Sequence, residues 1–305
     1  MHGLEIVAAV LCVAVGVAAG MGESLCTGPL QRVATGFKFT EGPMWHPDGY
    51  LVFSDIPANT IYRLTEDGAE VFRKPSGNSN GLTFDLKGRL LACEHGNRRV
   101  SRTREDGEVV AVATHYEGKR LNSPNDLVVR SDGSIYFTDP PYGVQKEDRE
   151  LDFQGVYRVD PKGNLTLLVT DFAKPNGLAF SPDEKVLYIA DTQKNHVRAF
   201  DVTEDGLLEV GRVFVETEEP DRLGADGMKV DVKGNLYVTA MDGVRVYNPK
   251  GEHLETIEMP QRPANLCFGP PEGKTLYITA QSSVYKLAVR NPGAVYTRRF
   301  AQDGE

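Results

Sequence analysis

The chain has 305 residues, a net charge of −9 and 40% apolar residues. That is enough to bury one large core. The 34 basic residues form no stripe, so a nucleic-acid-binding face is excluded and the partner expected is a small molecule. The 31 glycines and 18 prolines are spread along the chain and read as many turns rather than one disordered tract.

Residues 6–20, IVAAVLCVAVGVAAG, are a continuous apolar run of 15. A membrane-spanning helix needs about 20, so no stable membrane span is expected. The run suits a signal-peptide core with Ala18, Ala19 and Gly20 at its cleavage end. Against this, Glu5 precedes it and no lysine or arginine does. Residues 1–26 are therefore read as a leader and 27–305 as one domain. The protein is expected to be exported or periplasmic, the rival being a cytoplasmic chain with an apolar N-terminal segment. Cys12, Cys26, Cys93 and Cys267 show no CxxC spacing and read as buried free thiols rather than a disulfide framework.

From residue 41 onward one pattern repeats six times. Each unit opens on an acid or amide, followed by a short apolar strand, a turn, a second strand, a loop and a third strand. The openings are Glu41, Asn80, Asn125, Asn176, Asp226 and Asn265, spaced 39, 45, 51, 50 and 39 residues apart. Eight residues after five of them stands a turn glycine: Gly49, Gly88, Gly133, Gly234 and Gly273. In the fourth unit Lys185 is read in that place, nine residues on. The second strands, LVFSD (51–55), LLACE (90–94), IYFTD (135–139), LYIAD (187–191), LYVTA (236–240) and LYITA (276–280), are β-branched and aromatic. Six such units predict an all-β, six-bladed β-propeller with four-stranded antiparallel blades. The segment LQRVATG (30–36) is expected to complete the sixth blade and close the ring, which leaves no long unpaired sheet edge.

The innermost strand of each propeller blade lines the central channel, so the six openings should converge on one mouth. The ring would hold two carboxylates and four amides, without thiol or imidazole. Hard oxygen donors favour Ca2+, with Mg2+ or Mn2+ next, whereas Zn2+ sites usually show His or Cys. Each Asn-Gly or Asp-Gly taken alone is equally a turn signal. Glu41 is a poor turn residue, yet it holds the equivalent slot. The loops after the second strands return to the same mouth. They bring His95 as a proton relay or substrate contact, Glu94 beside it and Tyr142 as a roof. Asn80 and Arg120 are further substrate contacts, and Asn122 and Asp126 would orient Asn125. Arg98 and Arg99 read as solvated. Gly77-Asn78-Ser79-Asn80-Gly81 matches the G-x-S-x-G pattern of serine hydrolases. That elbow needs a following helix, and here a strand follows.

EGPMWHPDG (41–49), NSPNDLVV (122–129), FTDPPYG (137–143), KPNGLAFSPD (174–183) and GADGMKVD (224–231) resemble the senescence marker protein (regucalcin), gluconolactonase and luciferin-regenerating enzyme family, closest to its bacterial gluconolactonases. The resemblance covers about residues 30–290. It implies one divalent cation, often calcium, held by Glu41, Asn125, Asn176 and Asp226. It also implies hydrolysis of sugar lactones, with Asp226 as catalytic base or nucleophile. Hydrolysis of phosphotriesters at the same site, or a non-catalytic calcium-binding propeller, are the alternatives left open.

Overall fold

The computed structural model describes residues 23–46, 48–217 and 223–295. The apolar leader run therefore lies outside the described residues. Hydrophobic alternation and turn glycines organise the described residues into six four-stranded antiparallel sheets, plus one two-stranded hairpin, His115–Tyr116 with Lys119–Arg120. Blade 1 comprises Thr40–His46, Tyr50–Asp55, Thr60–Thr65 and Gly68–Arg73. Blade 2 comprises Ser79–Phe84, Leu90–Glu94, Arg99–Thr103 and Val109–Ala113. Blade 3 comprises Leu127–Val129, Ile135–Asp139, Gly155–Val159 and Leu165–Val169. Blade 4 comprises Pro175–Phe180, Val186–Asp191, His196–Asp201 and Arg212–Glu216. Blade 5 comprises Met228–Val230, Leu236–Thr239, Gly243–Tyr247 and His253–Glu258.

Blade 6 is completed from the other end of the chain. Its strands Pro263–Gly269, Thr275–Ala280 and Ser283–Ala288 are joined on the outside by Gln31–Thr35. This is the six-bladed β-propeller expected, closed as the segment 30–36 predicts. Among the described residues no helix is long and apolar enough to cross a membrane.

The core is a series of layers between blades. Leu91, Cys93 and Val100 of blade 2 pack with Leu127, Phe137 and Tyr157 of blade 3, and Tyr136 and Val156 of blade 3 pack with Leu178 and Ile189 of blade 4. The large side chains Phe53, Tyr136, Phe137, Tyr157 and Tyr237 are fully buried, the two phenylalanines each contributing about 1.5–3 kcal/mol by leaving water. Cys93 and Cys267 are buried free thiols, and Cys26 is half-buried.

One turn assignment is corrected. In blade 4 the left-handed turn residue is Glu184 (φ 58°), not Lys185. It stands eight residues after Asn176, so the offset holds in all six blades. Its carboxylate accepts a hydrogen bond from Ser131 N (3.0 Å), which ties this turn to the turn of blade 3.

Candidate active site

The openings reach the channel because the ladder breaks beside them. In blades 1, 2, 4 and 6 the register between first and second strands shifts at Glu41/Met44, Ser79/Leu82, Pro175/Leu178 and Pro263/Asn265. A bulge of this kind re-aims side chains at a sheet end. In blades 3 and 5 the first strand starts only after the opening residue.

The ring is tight. Gly42 has φ +53°, and a Cβ on it would lie 2.2 Å from the carbonyl oxygen of Asn80. A Cβ on Gly177 would lie 2.3 Å from the carbonyl oxygen of Asp226. These glycines let neighbouring blades touch backbone to backbone, which is why an X-Gly pair recurs at the openings.

All six opening residues meet as expected. Asn80 Nδ2 donates to Asn125 Oδ1 (2.7 Å), Asn125 Nδ2 donates to Asn176 Oδ1 (2.6 Å), and the Asn176 amide lowers the proton affinity of Asp226 beside it. Asn265 Nδ2 donates to Glu41 Oε2 (3.1 Å) and to Asp126 Oδ2 (3.3 Å). Asp226 is partly exposed, and the other five are buried.

Burial and mutual repulsion raise the affinity of the acids for protons. Glu41 is pushed well above the usual carboxylate range, first by burial and then by the charges of Asp226 and Asp126. Asp226 is raised by burial, with the cation of Arg262 and the bond from Asn176 opposing and the charge of Asp126 adding. Asp126 is raised by burial, against the pull of Lys229.

Other expected site residues divide into two groups. His95 stands at the ring, its Nε2 3.2 Å from Asn125 Oδ1 and 3.3 Å from Asn80 Nδ2. Burial lowers its pKa to about 4, so the imidazole is neutral at pH 7. Tyr142 reaches over the ring, its hydroxyl 3.4 Å from Asn176 Nδ2 and Lys174 Nζ 5.5 Å from its ring centre.

The second group turns elsewhere. Glu94 is buried under Arg73, Asn97, Arg99 and Ser101, which occupy both of its oxygens. Arg120 donates from Nη2 to Asn97 O (3.1 Å), and its backbone N–H reaches Glu150. Asn122 Nδ2 is spent on the carbonyls of Asp139 (3.2 Å) and Phe153 (2.9 Å).

Two arginines read as solvated are not. Arg99 is ion-paired with Glu94 (2.7 Å). Arg98 is buried, and its guanidinium holds the carbonyls of Leu121, Asn122 and Asp148. Arginine satisfies several carbonyls at once, so a loop arginine can serve as a buried strut.

Asp126, expected to orient Asn125, is a third acid of the mouth. Its signal was present. Asp126 follows Asn125 where Gly42, Gly81, Gly177 and Gly227 follow their own opening residues. The sequence reading missed Thr192 and Arg262. Thr192 Oγ1 accepts from Asn176 Nδ2 (2.9 Å) and donates to Ala225 O (2.7 Å). Arg262 is exposed and electrostatically coupled to Asp226.

A concave, partly open channel mouth that gathers carboxylates and amides is the candidate active site of this propeller. Residues 39–282 match the family model described as SMP-30/Gluconolactonase/LRE-like region, and the chain belongs to that family. It is 34% identical to the gluconolactonase of Zymomonas mobilis, over 87% of this chain and 82% of that one. It is 28% identical to a pentonolactonase of Haloferax volcanii, covering 81% of this chain and 83% of that one. Among solved structures, a gluconolactonase of Xanthomonas campestris superposes with a TM-score of 0.79 at 35% identity, over 86% of this chain and 90% of that one. A regucalcin of Agrobacterium tumefaciens, described as calcium-binding, shares the fold with a TM-score of 0.73 at 20% identity, over 85% of this chain and 92% of that one.

Proposed function

We propose that the chain is a metal-dependent lactonase that opens sugar lactones at the channel mouth. The observation that carries this reading is the convergence of Glu41, Asp126 and Asp226, with ring amides, on one partly open point. Lactonase names among the relatives support the substrate class.

The donor set suits a hard divalent cation, most simply Ca2+. It offers carboxylate and amide oxygens, and Asn80 Oδ1 is buried without a hydrogen-bond partner. Glu41, Asn125, Asn176 and Asp226 would hold the ion, and the charge repulsion that raises Glu41 and Asp226 is what a cation relieves. When bound, the ion supplies a Lewis acid for a lactone carbonyl.

The chain's own residues do the rest. Asp226, partly exposed and with a raised proton affinity, takes a proton from an incoming water. The water oxygen bonds to the carbonyl carbon, the ring C–O bond breaks, and Asp226 returns the proton to the departing alkoxide oxygen. The product is a hydroxy acid. Neutral His95 holds Asn125 in place, and Tyr142 covers one side of the opening. A side-by-side assay on glucono-1,5-lactone and a nitrophenyl phosphotriester tests the substrate class. Turnover of the lactone alone is expected, and turnover of the phosphotriester alone would overturn the reading.

A further inference from the structure

Four second strands end on an acid: Asp55, Glu94, Asp139 and Asp191. Three of these acids do the same thing. Asp55 accepts the backbone N–H groups of Lys38 (2.9 Å) and Phe39 (3.2 Å). Asp139 accepts those of Asn122 and Ser123, both at 2.7 Å. Asp191 accepts those of Ala173 (2.7 Å) and Lys174 (3.1 Å). In every case the two N–H groups stand three and two residues before the ring residue, which is Glu41, Asn125 or Asn176. All three aspartates are buried.

The remaining blades show that the fold does not require this carboxylate. In blade 5 the equivalent N–H groups of Leu223 and Gly224 go to neutral oxygens, Thr217 Oγ1 (2.6 Å) and Asn195 Oδ1 (2.7 Å). In blade 2 Glu94, one methylene longer, turns to Arg73 and Arg99 instead. In blade 6 Pro263 occupies the second position and has no N–H to give.

We propose that Asp55, Asp139 and Asp191 are positioning residues, two-point carboxylate clamps that aim Glu41, Asn125 and Asn176 into the mouth. The proposal rests on the ring being the functional site. A carboxylate holding two consecutive N–H groups fixes the direction of the chain as well as its place, through charge-assisted bonds. The ring residue follows two positions on, where a small rotation of that peptide swings its side-chain oxygen. The clamps thus serve the three ring residues of blades 1, 3 and 4 that would share the ion with Asp226.

The test compares Asp139→Asn and Asp191→Asn with Asp231→Asn. An asparagine keeps the shape but sets an amide donor against one of the two N–H groups. Asp231 is a buried aspartate that also accepts two backbone N–H groups, from Lys233 and Asn235 (both 2.9 Å), but in the hairpin after the first strand of blade 5, at the end away from the mouth. Each variant is measured for kcat and KM on glucono-1,5-lactone, for calcium affinity by calorimetry, and for Tm. The clamp variants should lose roughly tenfold to a hundredfold in kcat and in calcium affinity, as removed outer partners of a metal site do. Asp231→Asn should lower Tm with kcat and calcium affinity unchanged. Equal effects on kcat and calcium in both sets, or no effect in the clamp variants, would overturn the proposal. A wild-type chain that neither binds calcium nor opens the lactone would instead overturn the reading of the ring. Crystal structures of wild type and Asp139→Asn then decide the clamp. A displaced Asn125 side chain supports it, and an unmoved one overturns it.

Discussion

Replacing Asp226 by asparagine separates chemistry from architecture. The substitution keeps the side-chain volume but removes one of three neighbouring carboxylate charges at the mouth. If Asp226 moves the proton, its loss costs about a hundredfold to ten-thousandfold in kcat. That corresponds to about 3–5 kcal/mol of barrier. Stability should respond in the opposite sense. Glu41 is held in its unfavourable state partly by the charge of Asp226, so in the absence of metal the variant should unfold at the same temperature as wild type or higher. The assay is proton release from glucono-1,5-lactone in saturating calcium, corrected for spontaneous opening, beside thermal unfolding in chelator. Turnover within about threefold of wild type, well short of what a general base contributes, would refute the role. A sharp fall in Tm would show that Asp226 is structural.

Four further outcomes are expected. His95 titrates at about 4 in the fold and near 6.5 unfolded, so the unfolded chain takes up a proton first as pH falls. Stability is full above 6.5 and declines toward pH 4 by about 3 kcal/mol, and Tm of His95→Gln should be less sensitive than wild type over that window; parallel Tm curves would contradict this. Gly177→Ala drives a Cβ into the backbone of Asp226 and should cost about 3 kcal/mol, seen as a Tm lowered by several degrees; an unchanged Tm would show that the ring can relax. Cys93 and Cys267 are buried, and burial raises both thiols, Cys267 to about 12, so a disulfide reagent should leave them unlabelled until the protein is unfolded. The export proposal, carried by the apolar run before Gly20, predicts a mature N-terminus beyond residue 20 on N-terminal sequencing; an intact Met1 in the isolated protein would contradict it.

The blade count, the strand order and the ring were legible because each depends on local signals repeated six times. Residues beyond the ring were less legible. Glu94 and His95 are adjacent in sequence, yet one is locked under two arginines and the other faces Asn125. Alternation puts neighbours on opposite sides but does not say which side meets the ring and which meets Arg73 and Arg99, because those partners come from other strands. Arg98 read as solvated because its carbonyl partners, at Leu121, Asn122 and Asp148, come from distant parts of the chain. The aspartate clamps were visible only as strand-ending acids until the backbone they hold was in place.

The most direct test of the whole account is lactone opening followed by proton release, first after chelation and then after adding back calcium, manganese or zinc. Glucono-1,5-lactone turnover should be lost in chelator and return with a divalent cation, calcium first. Turnover indifferent to the chelator would contradict it.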